Sequence, residues 1–430
     1  MEEISFIHLS DIHFRKTSGN STDIDNDLRN AVLTDVRYNA KEQLKDVKGI
    51  LIGGDIAFAG QKEEYVNAKK FLKSLVNCLD IDEKSIYCVP GNHDVNQQMV
   101  KDSISIYSAQ HAIEEAKSID DADWFLDKHM QDMASPNLLF RTMEEYNDFS
   151  APFGCNINSR NTFWTASFQL DYNMKLKIRG MNSCIISNHE DHKVENEIRK
   201  MVVGQSQIPL YEEDTVWVSL CHHPVEFWKF LKDMQNRLDK RFDIQLYGHK
   251  HEQSVNINSE RLVVSSGATQ PSRGKDWVPR YNWISFKCYK KENDRYIKVK
   301  VFPRILSPDR DRFIADYENC DSGKKYFQYD LNIDEKRRKN LSDSEKRVDE
   351  KKVNVLADKP IKVGVEKDII YYFFELSYIQ QQEILSTVGL LKEEYQGKRY
   401  AEVIEEILSD AEDKGCLKTL SEMIKKAVSK

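Results

Sequence analysis

Polar side chains that can bind metal ions recur in five short motifs of this 430-residue chain. They are carboxylates, imidazoles and one amide, and each motif follows a short apolar run that is typical of a β-strand. In chain order the motifs are Asp11-Ile12-His13, Gly54-Asp55, Gly91-Asn92-His93-Asp94, His222-His223-Pro224 and Gly248-His249-Lys250-His251. Because ligands bind beyond the carboxyl ends of strands in open α/β sheets, the five motifs can converge on one site.

The donor types in these motifs indicate which ions the site would take. Carboxylate, amide and imidazole donors suit Mn, Fe, Zn, Co or Ni rather than Cu(I) or an iron–sulfur cluster. The motifs offer too many ligands for one tetrahedral ion, so they suit two adjacent ions that Asp55 can bridge. Two divalent ions would attract a phosphate, lower the pKa of a bridging water and stabilise the transition state of phosphoryl transfer.

The spacing of two residue pairs predicts how they share the ions. In extended backbone, residues i and i+2 point to the same side, so we expect Asp11 and His13 to hold one ion together. His249 and His251 have the same spacing and could serve one ion or be divided between two. Asp11 and Asp55 could instead cap helices that follow them, but the histidines beside them favour metal binding.

Up to about residue 330, strand patterns alternate with helix patterns, and these elements must position the motifs. Helical periodicity covers 27–44 and 63–79, between the early strands. This alternation predicts an α/β core, with a few further strands between 282 and 331. The predicted strands cover 5–10, 49–53, 85–90, 177–183, 215–221, 243–247 and 261–266.

In this order, the five motifs resemble the calcineurin-like metallophosphoesterase superfamily over residues 11–251. The resemblance implies a four-layer α/β-β/α sandwich and two divalent metal ions, with Mn²⁺ preferred and Fe, Zn, Ni or Co as alternatives. By the same resemblance, the first metal is held by Asp11, His13 and His251, Asp55 bridges, and the second metal is held by Asn92, His222 and His249.

The resemblance also assigns roles to residues beside the metals. His93 would face the substrate phosphate or leaving group, and Asp94 would orient its ring, so both are expected to be catalytic. His222 is preferred over His223 as the ligand because it directly follows the strand, which leaves His223 to contact substrate.

Motif two gives an expectation about the substrate. Phosphoprotein phosphatases of this superfamily carry Asp-Arg-Gly after the aspartate and usually Glu at the position of Asp94, and both features are absent here. The sequence from Asp55 to Tyr65 is more similar to the cyclic-nucleotide phosphodiesterase branch of the superfamily. We therefore expect hydrolysis of phosphodiester bonds in nucleotides or nucleic acid by a metal-bridging hydroxide. A phosphomonoesterase (nucleotidase-like or protein phosphatase) and a catalytically silent scaffold are the alternatives.

Two aromatic segments are candidates for the substrate pocket. The segment 271–283 mixes Arg273 and Trp277 with other basic and aromatic residues, which suits phosphate contact and base stacking. It could equally be a surface loop that leads into a strand with core aromatics. Phe227 and Trp228, just after His223, could either wall the pocket or pack in the core.

Composition divides the chain into regions. Residues 1–331 are expected to form the catalytic domain, with a helical insertion or cap at 97–175, and 332–360 a charged linker. Residues 361–430 predict a small all-α domain that loosely resembles the effector-associated domains of bacterial conflict-system enzymes. We expect this domain to bind a protein partner or to support a homo-oligomer.

Charge and cysteine content exclude several classes of protein. The formal net charge of −7 excludes a strongly cationic protein, although a local basic groove remains compatible with it. The N-terminus lacks the basic region of a signal peptide, and 369–374 is too short to span a bilayer, so we expect a cytoplasmic protein without a membrane partner. The eight cysteines form no CxxC pair, which argues against disulfides and a cysteine zinc site.

Overall fold

A computed structural model describes residues 3–16, 25–191, 200–258, 261–270, 278–336, 338 and 365–429. Two β-sheets with helices on their outer faces form the first part of the chain, and a separate group of helices forms the last part. This confirms the predicted α/β sandwich with a C-terminal helical region.

The first sheet has seven strands. They are β1 (Glu3–Leu9), β2 (Val47–Ile52), β3 (Ile86–Cys88), β10 (Arg280–Lys291), β11 (Asp294–Leu306), β12 (Phe313–Ala315) and β13 (Phe327–Asn332). Their order is β12-β11-β10-β1-β2-β3, and β13 also pairs with β11. β1, β2 and β3 run parallel, so their carboxyl ends lie at the same edge of the sheet. β10 is antiparallel to β1, with Trp283 opposite Ile7.

The second sheet has six strands. They are β4 (Phe163–Gln169), β5 (Lys175–Met181), β6 (Thr215–Cys221), β7 (Ile244–Tyr247), β8 (Gln253–Asn258) and β9 (Arg261–Ser266), in the order β4-β5-β6-β7-β9-β8. The four central strands are parallel, while β4 and β8 are antiparallel edge strands. Every residue of β6 is buried, which explains its continuous apolar run, since parallel strands are covered on both faces.

The two sheets pack face to face through aromatic side chains. The ring of Phe6 in β1 lies 5.1 Å from that of Phe168 in β4, edge to face. The indole nitrogen of Trp164 donates a hydrogen bond of 2.8 Å to the carbonyl oxygen of Cys88, so a β4 side chain reaches the end of β3. One continuous apolar core fills the space between the sheets and beneath the helices.

Helices pack against the sheets through the common apolar core. In the first part of the chain they are α1 (Asn26–Asp35), α2 (Lys41–Gln43), α3 (Lys62–Leu79), α4 (Gln97–Asp102), α5 (Ile104–Glu114), α6 (Ile119–Met130), α7 (Glu144–Ser150) and α8 (Leu231–Arg241). In α3 the side chain of Glu64 accepts a hydrogen bond from the backbone of Gln61, which satisfies a donor at the helix start.

The predicted strands are all present, with ends shifted by at most two residues. The helix predicted over 27–44 is interrupted by a π-helical turn at Val36–Ala40. The predicted insertion at 97–175 is wrong at its end: it is helical up to Phe153, but Phe163–Gln169 forms an edge strand of the second sheet. Its aromatic residues at 163, 164 and 168 serve the core, and helical periodicity ends before them.

The last part of the chain forms a helical unit with its own core. Its helices are α9 (Val365–Glu375), α10 (Tyr378–Thr387), α11 (Tyr400–Asp413) and α12 (Leu417–Val428). The core of this unit includes Ile369, Phe373, Leu385, Val403, Ile407, Leu408, Leu420 and Ile424. Most of the predicted linker at 332–360 lies outside the described residues.

The helical unit contacts the first part of the chain through α9 and α11. The phenol of Tyr371 in α9 donates a 2.6 Å hydrogen bond to Glu83, which follows α3. The side-chain amide of Asn156 donates a 2.8 Å hydrogen bond to the carbonyl oxygen of Ala401 in α11. The unit therefore lies against both the sandwich and the segment that follows the helical insertion.

Two composition-based expectations concern the described residues. None of the helices described is both long and apolar enough to cross a membrane. All eight cysteines are free thiols, and six of them are buried.

Candidate metal centre

The five motifs lie in the loops that follow five parallel strands. Asp11 and His13 follow β1, Asp55 follows β2, and Asn92 follows β3, all in the first sheet. The histidine motifs follow β6 and β7 of the second sheet, so the site bridges the two sheets at their common edge.

One group of donor atoms comes from Asp11, His13, Asp55 and His251. All four atoms lie within 4.8 Å of one another. The Nε2 of His251 is 3.0 Å from Oδ1 of Asp11, and the Nε2 of His13 is 3.3 Å from Oδ2 of Asp55. The group combines the three residues expected at the first metal with the expected bridge.

A second group comes from His222, His223 and His249, again with donor atoms within 4.8 Å of one another. The Oδ1 of Asn92 joins it, 3.0 Å from Nε2 of His222 and 3.1 Å from Nδ1 of His249. His249 and His251 are therefore divided between the two groups.

Asp55 connects the two groups through one oxygen. Its Oδ2 lies 3.3 Å from Nε2 of His13 in the first group and 3.4 Å from Nε2 of His222 in the second. An oxygen in contact with ligands of both groups is in the position that a bridging carboxylate requires.

The backbone at the candidate ligands differs from the expectation. Asp11 and His13 are not extended, because their φ angles are 54° and 52°. Asp55, His249 and His251 are also in the left-handed region, at 52°, 67° and 59°. This conformation costs conformational free energy in residues other than glycine. Here it turns the chain sharply at the strand end, so that both side chains of each pair can reach the site.

Two motif glycines allow the loops to approach one another. A Cβ on Gly91 would lie 2.1 Å from Oδ1 of Asp55, and a Cβ on Gly248 would lie 2.1 Å from the hydroxyl of Ser10. Any larger residue at either position would displace a group at the metal centre.

Neighbouring groups orient the candidate ligands. The hydroxyl of Ser10 donates a 2.5 Å hydrogen bond to Oδ2 of Asp11. The carbonyl oxygen of Gly53 accepts a 2.8 Å hydrogen bond from Nδ1 of His222, which directs Nε2 of that ring toward Asn92 and Asp55. Hydrogen bonds of this kind set ring orientation and tautomer in metal sites.

The donor set fits divalent metal ions. Oδ1 of Asp11 is buried and accepts no hydrogen bond of good geometry from the described residues, although Nε2 of His251 lies 3.0 Å away. Burying a carboxylate oxygen beside an imidazole nitrogen costs free energy. A cation that binds both atoms offsets this cost. Mixed oxygen and nitrogen donors match Mn, Fe, Zn, Co or Ni, so the residues define a metal class but not one metal.

The electrostatics of the site follow from its buried charges. Burial alone would raise the pKa of Asp55, but the charges of His222 and His93 and hydrogen bonds from His13 and His222 hold this pKa well below its usual range. Burial would lower the pKa of His222, but the adjacent Asp55 carboxylate raises it to about 9. The carboxylates thus favour positive charge at the positions that metal ions would take.

The expected contact between Asp94 and the ring of His93 is wrong. The Nδ1 of His93 lies 2.7 Å from the carbonyl oxygen of Phe58, which can only accept, so Nδ1 carries the proton. The Asp94 carboxylate already accepts four hydrogen bonds, which fills its lone-pair sites. The donors are the backbone N–H groups of Ile56, Ala57 and Gly91 and the phenol of Tyr65. Asp94 joins the second and third motif loops instead.

The other predicted substrate residues have different placements. His223 is buried, and its Nδ1 lies 2.8 Å from the hydroxyl of Ser183. Phe227 is half-buried with its ring 4.7 Å from that of His249, whereas Trp228 is buried and donates to the carbonyl oxygen of His223. Arg273 and Trp277 lie outside the described residues.

Sequence reasoning missed several residues that support the site. Ser10 directly precedes motif one, and Phe58 lies a few residues after motif two. Motifs defined with a few more residues would have included both. Ser183, in contrast, precedes the fourth motif by about forty residues, and only the fold brings it to His223.

This fold and donor set belong to a metallophosphoesterase. Residues 4–253, more than half of the chain, match the family model of calcineurin-like phosphoesterases, so the chain belongs to that family. Residues 366–426 match the family model of the GTPase-associated adaptor domain.

Solved structures give further similarities. A conserved protein from Streptococcus pneumoniae described as a predicted phosphoesterase is 13% identical, with a TM-score of 0.26, over 77% of this chain and 99% of that one. GAP50 of Plasmodium is 12% identical, with a TM-score of 0.37, over 77% and 89%. Vps29 of Entamoeba histolytica complexed with Zn²⁺ is 11% identical, with a TM-score of 0.27, over 76% and 99%. A search of curated proteins found no match.

Proposed function

We propose that this chain is a metal-dependent hydrolase of phosphodiester bonds in nucleotides or nucleic acid. The observation that supports it is the contact of one oxygen, Oδ2 of Asp55, with ligands of both donor groups, His13 and His222. Two divalent ions bound there would supply Lewis acidity that activates water and neutralises phosphate charge. Mn²⁺ is the first metal to test.

The protein's own residues then have separate tasks. Asp11, His13 and His251 would hold one cation, Asn92, His222 and His249 would hold the other, and Asp55 would be shared between them. His93 serves the leaving oxygen or the phosphate, because its ring lies 4.9 Å from that of His13 and the carbonyl oxygen of Phe58 fixes its orientation. His223, beside His249, steadies the substrate phosphate from the buried side of the site.

The two residues that follow Asp55 in motif two favour a diester over a monoester. The next two residues, Ile56 and Ala57, are fully buried apolar side chains, so this motif offers no guanidinium to the substrate. A phosphomonoester is largely a dianion near neutral pH and gains from such an extra cation, whereas a diester carries a single negative charge.

Hydrolysis of two model esters tests the proposal. We expect the full chain with Mn²⁺ to hydrolyse bis(p-nitrophenyl) phosphate faster than p-nitrophenyl phosphate, and to lose this activity with chelator. The Asp55→Asn variant should lose the activity as well. Preference for the monoester would assign a nucleotidase-like phosphatase, and full activity of Asp55→Asn would contradict the metal-centre assignment. Two metals per chain without activity on either ester would point to a scaffold.

We also propose that residues 361–430 bind a protein partner. The match to an adaptor domain supports this, as do two neighbouring apolar side chains at the start of α10, Tyr378 and Ile379, which are 58% and 68% exposed. Sedimentation of the full chain over a range of concentrations tests whether that partner is a second copy. A mass that rises with concentration for the wild type and not for Ile379→Asp would assign a homo-oligomer, while a constant single-chain mass would exclude a second copy as the partner.

A further inference from the structure

We propose that the metal centre takes a linear single strand of nucleic acid, held by an aromatic ring and a cation at each end of the centre. This inference rests on the proposed phosphodiesterase function and narrows its substrate. The sequence analysis named Phe227 as a candidate pocket wall but not Phe58, so the two arms were not predicted as a pair.

The first arm lies beside the first donor group. The ring of Phe58 is 6.3 Å from that of His13 and 5.4 Å from that of His93, and it is 37% exposed. The guanidinium carbon of Arg15 lies 4.1 Å from the centre of this ring, and Arg15 is itself exposed. Because the guanidinium covers a face of Phe58, it presents a flat cationic surface to solvent beside His93.

The second arm lies beside the second donor group. The ring of Phe227 is 4.7 Å from that of His249 and 6.3 Å from that of His223. The ammonium of Lys200 lies 6.0 Å from the centre of the Phe227 ring, and that of Lys250 pairs with Glu226 nearby. Lys200 supplies the positive charge beside the ring at this end of the centre, because the charge of Lys250 is offset by that of Glu226.

The pairing of ring and cation matches the repeating unit of a nucleic acid strand. Bases stack on aromatic rings and on guanidinium planes, and the neighbouring phosphates attract cations. With the scissile phosphate at the metals, the nucleotides on its two sides would reach the Phe58 and Phe227 arms. A cyclic mononucleotide has one base and one phosphate, so it would engage only one arm. Stacking gives little base preference, so cleavage should be largely independent of sequence.

Kinetics on esters of different length provide the first test. With Mn²⁺ we expect kcat/KM for pentathymidylate to exceed that for 3′,5′-cyclic AMP at least tenfold. Phe58→Ala and Phe227→Ala should each lower kcat/KM for pentathymidylate roughly tenfold to a hundredfold, and by a clearly larger factor than for methyl p-nitrophenyl phosphate. Tyr317→Ala, an exposed aromatic change in the loop after β12, is the matched control. Pentauridylate in parallel shows whether the sugar matters.

Two kinetic results would decide against the inference. A wild type that prefers cyclic AMP would overturn it, and so would equal losses on pentathymidylate and the methyl ester, which would make the rings mere supports of the metal centre. Hydrolysis of no diester at all would instead be a failure of the proposed function.

Binding gives a second test that does not depend on hydrolysis. The affinity of the Mn²⁺-loaded full chain for a fluorescent phosphorothioate pentathymidylate is measured by anisotropy at several salt concentrations. Arg15→Gln and Lys200→Gln should each weaken binding and reduce the slope of log K against log salt by about 0.7, the value for one phosphate contact on a single strand. Lys418→Gln, an exposed change in α12, is the control. If both variants showed the same slope as the wild type, Arg15 and Lys200 would not contact the phosphates of the strand.

Discussion

The phenol of Tyr65 donates a 2.8 Å hydrogen bond to Oδ1 of Asp94, and both side chains are buried. Tyr65 belongs to α3, whereas Asp94 accepts backbone hydrogen bonds from the loops that carry Asp55 and Asn92. Burial, together with the charge of Asp55, raises the pKa of Asp94 to about 6. The phenol is therefore a donor that helps to keep this carboxylate in a buried site and fixes helix α3 to both loops.

We expect Tyr65→Phe to lower the free energy of unfolding by about 1–3 kcal/mol, because a buried carboxylate loses one of its donors. Urea denaturation measures the change. Tyr289→Phe is the matched control, since Tyr289 donates to Asp330 at an exposed site and its loss should cost less than about 0.5 kcal/mol. Equal losses of unfolding free energy in the two variants would show that the buried hydrogen bond stabilises the fold no more than the exposed one.

Gly91→Ala should disturb the metal centre without straining its own backbone. The φ of Gly91 is −104°, which alanine adopts easily, but the added Cβ would lie 2.1 Å from Oδ1 of Asp55. We expect the variant to bind less Mn²⁺ after dialysis and to lose hydrolase activity. Gly204→Ala is the control, because its φ is −68° and its nearest contact would be 3.2 Å from a flexible leucine side chain. Full metal content in Gly91→Ala would contradict the close packing of these loops.

The division of His249 and His251 between the two donor groups can be tested by counting metals. Each alanine variant removes a ligand from one group, so we expect the Mn²⁺ content of each to fall from two per chain toward one. Elemental analysis of the dialysed proteins gives the counts, with His129→Ala as the control away from the motifs. If one variant lost both metals while the other kept both, the two histidines would not serve separate ions.

Lys367 makes the contact of α9 with the sandwich dependent on pH. Its side chain is 7% exposed, with Nζ 4.4 Å from the centre of the Tyr87 ring. Burial lowers the pKa of Lys367 to about 8 from the ordinary value of 10.5. Below pH 8 the folded chain carries a buried charge at full cost. Between pH 8 and 10.5 the unfolded chain binds a proton that the folded chain does not, so the contribution of this group to stability rises with pH.

We therefore expect Lys367→Met to stabilise the chain at pH 7, by as much as about 3 kcal/mol, and by much less at pH 10. Urea denaturation at the two pH values measures both. Lys425→Met, a half-exposed change in α12, should shift stability by no more than about 0.5 kcal/mol at either pH. A gain that does not depend on pH would show that Lys367 stays charged or uncharged throughout.

The sequence predicted most of the strands, their order along the chain and the position of the polar motifs at the strand ends because all of these depend on local signals. A buried parallel strand needs an apolar run, as β6 shows, and a polar motif at its end marks the edge of the sheet. The edge strand β8 was missed because Gln253–Asn258 alternates polar residues with only two apolar ones. The strand Phe163–Gln169 at the end of the helical insertion, in contrast, carries aromatic residues at 163, 164 and 168 and could have been predicted from them.

The contacts that orient the site could not be predicted in the same way. Ring partners such as the carbonyl of Phe58 for His93 and the hydroxyl of Ser183 for His223 depend on how separate loops pack. Asp94 follows His93 directly, which suggested a contact, but its oxygens are engaged by donors from motif two, from α3 and from Gly91 of its own motif. Side chains adjacent in sequence need not face each other.

The left-handed backbone at Asp11, His13, Asp55, His249 and His251 has an evolutionary consequence. Glycine would adopt these angles without the cost of about 1–2 kcal/mol per residue that a side chain incurs. A lineage that no longer needed the metals would gain folding stability by losing these ligands one at a time. Under the proposed function these side chains are kept for chemistry at a cost in stability, and glycines appearing at these positions in a relative would mark the loss of that function.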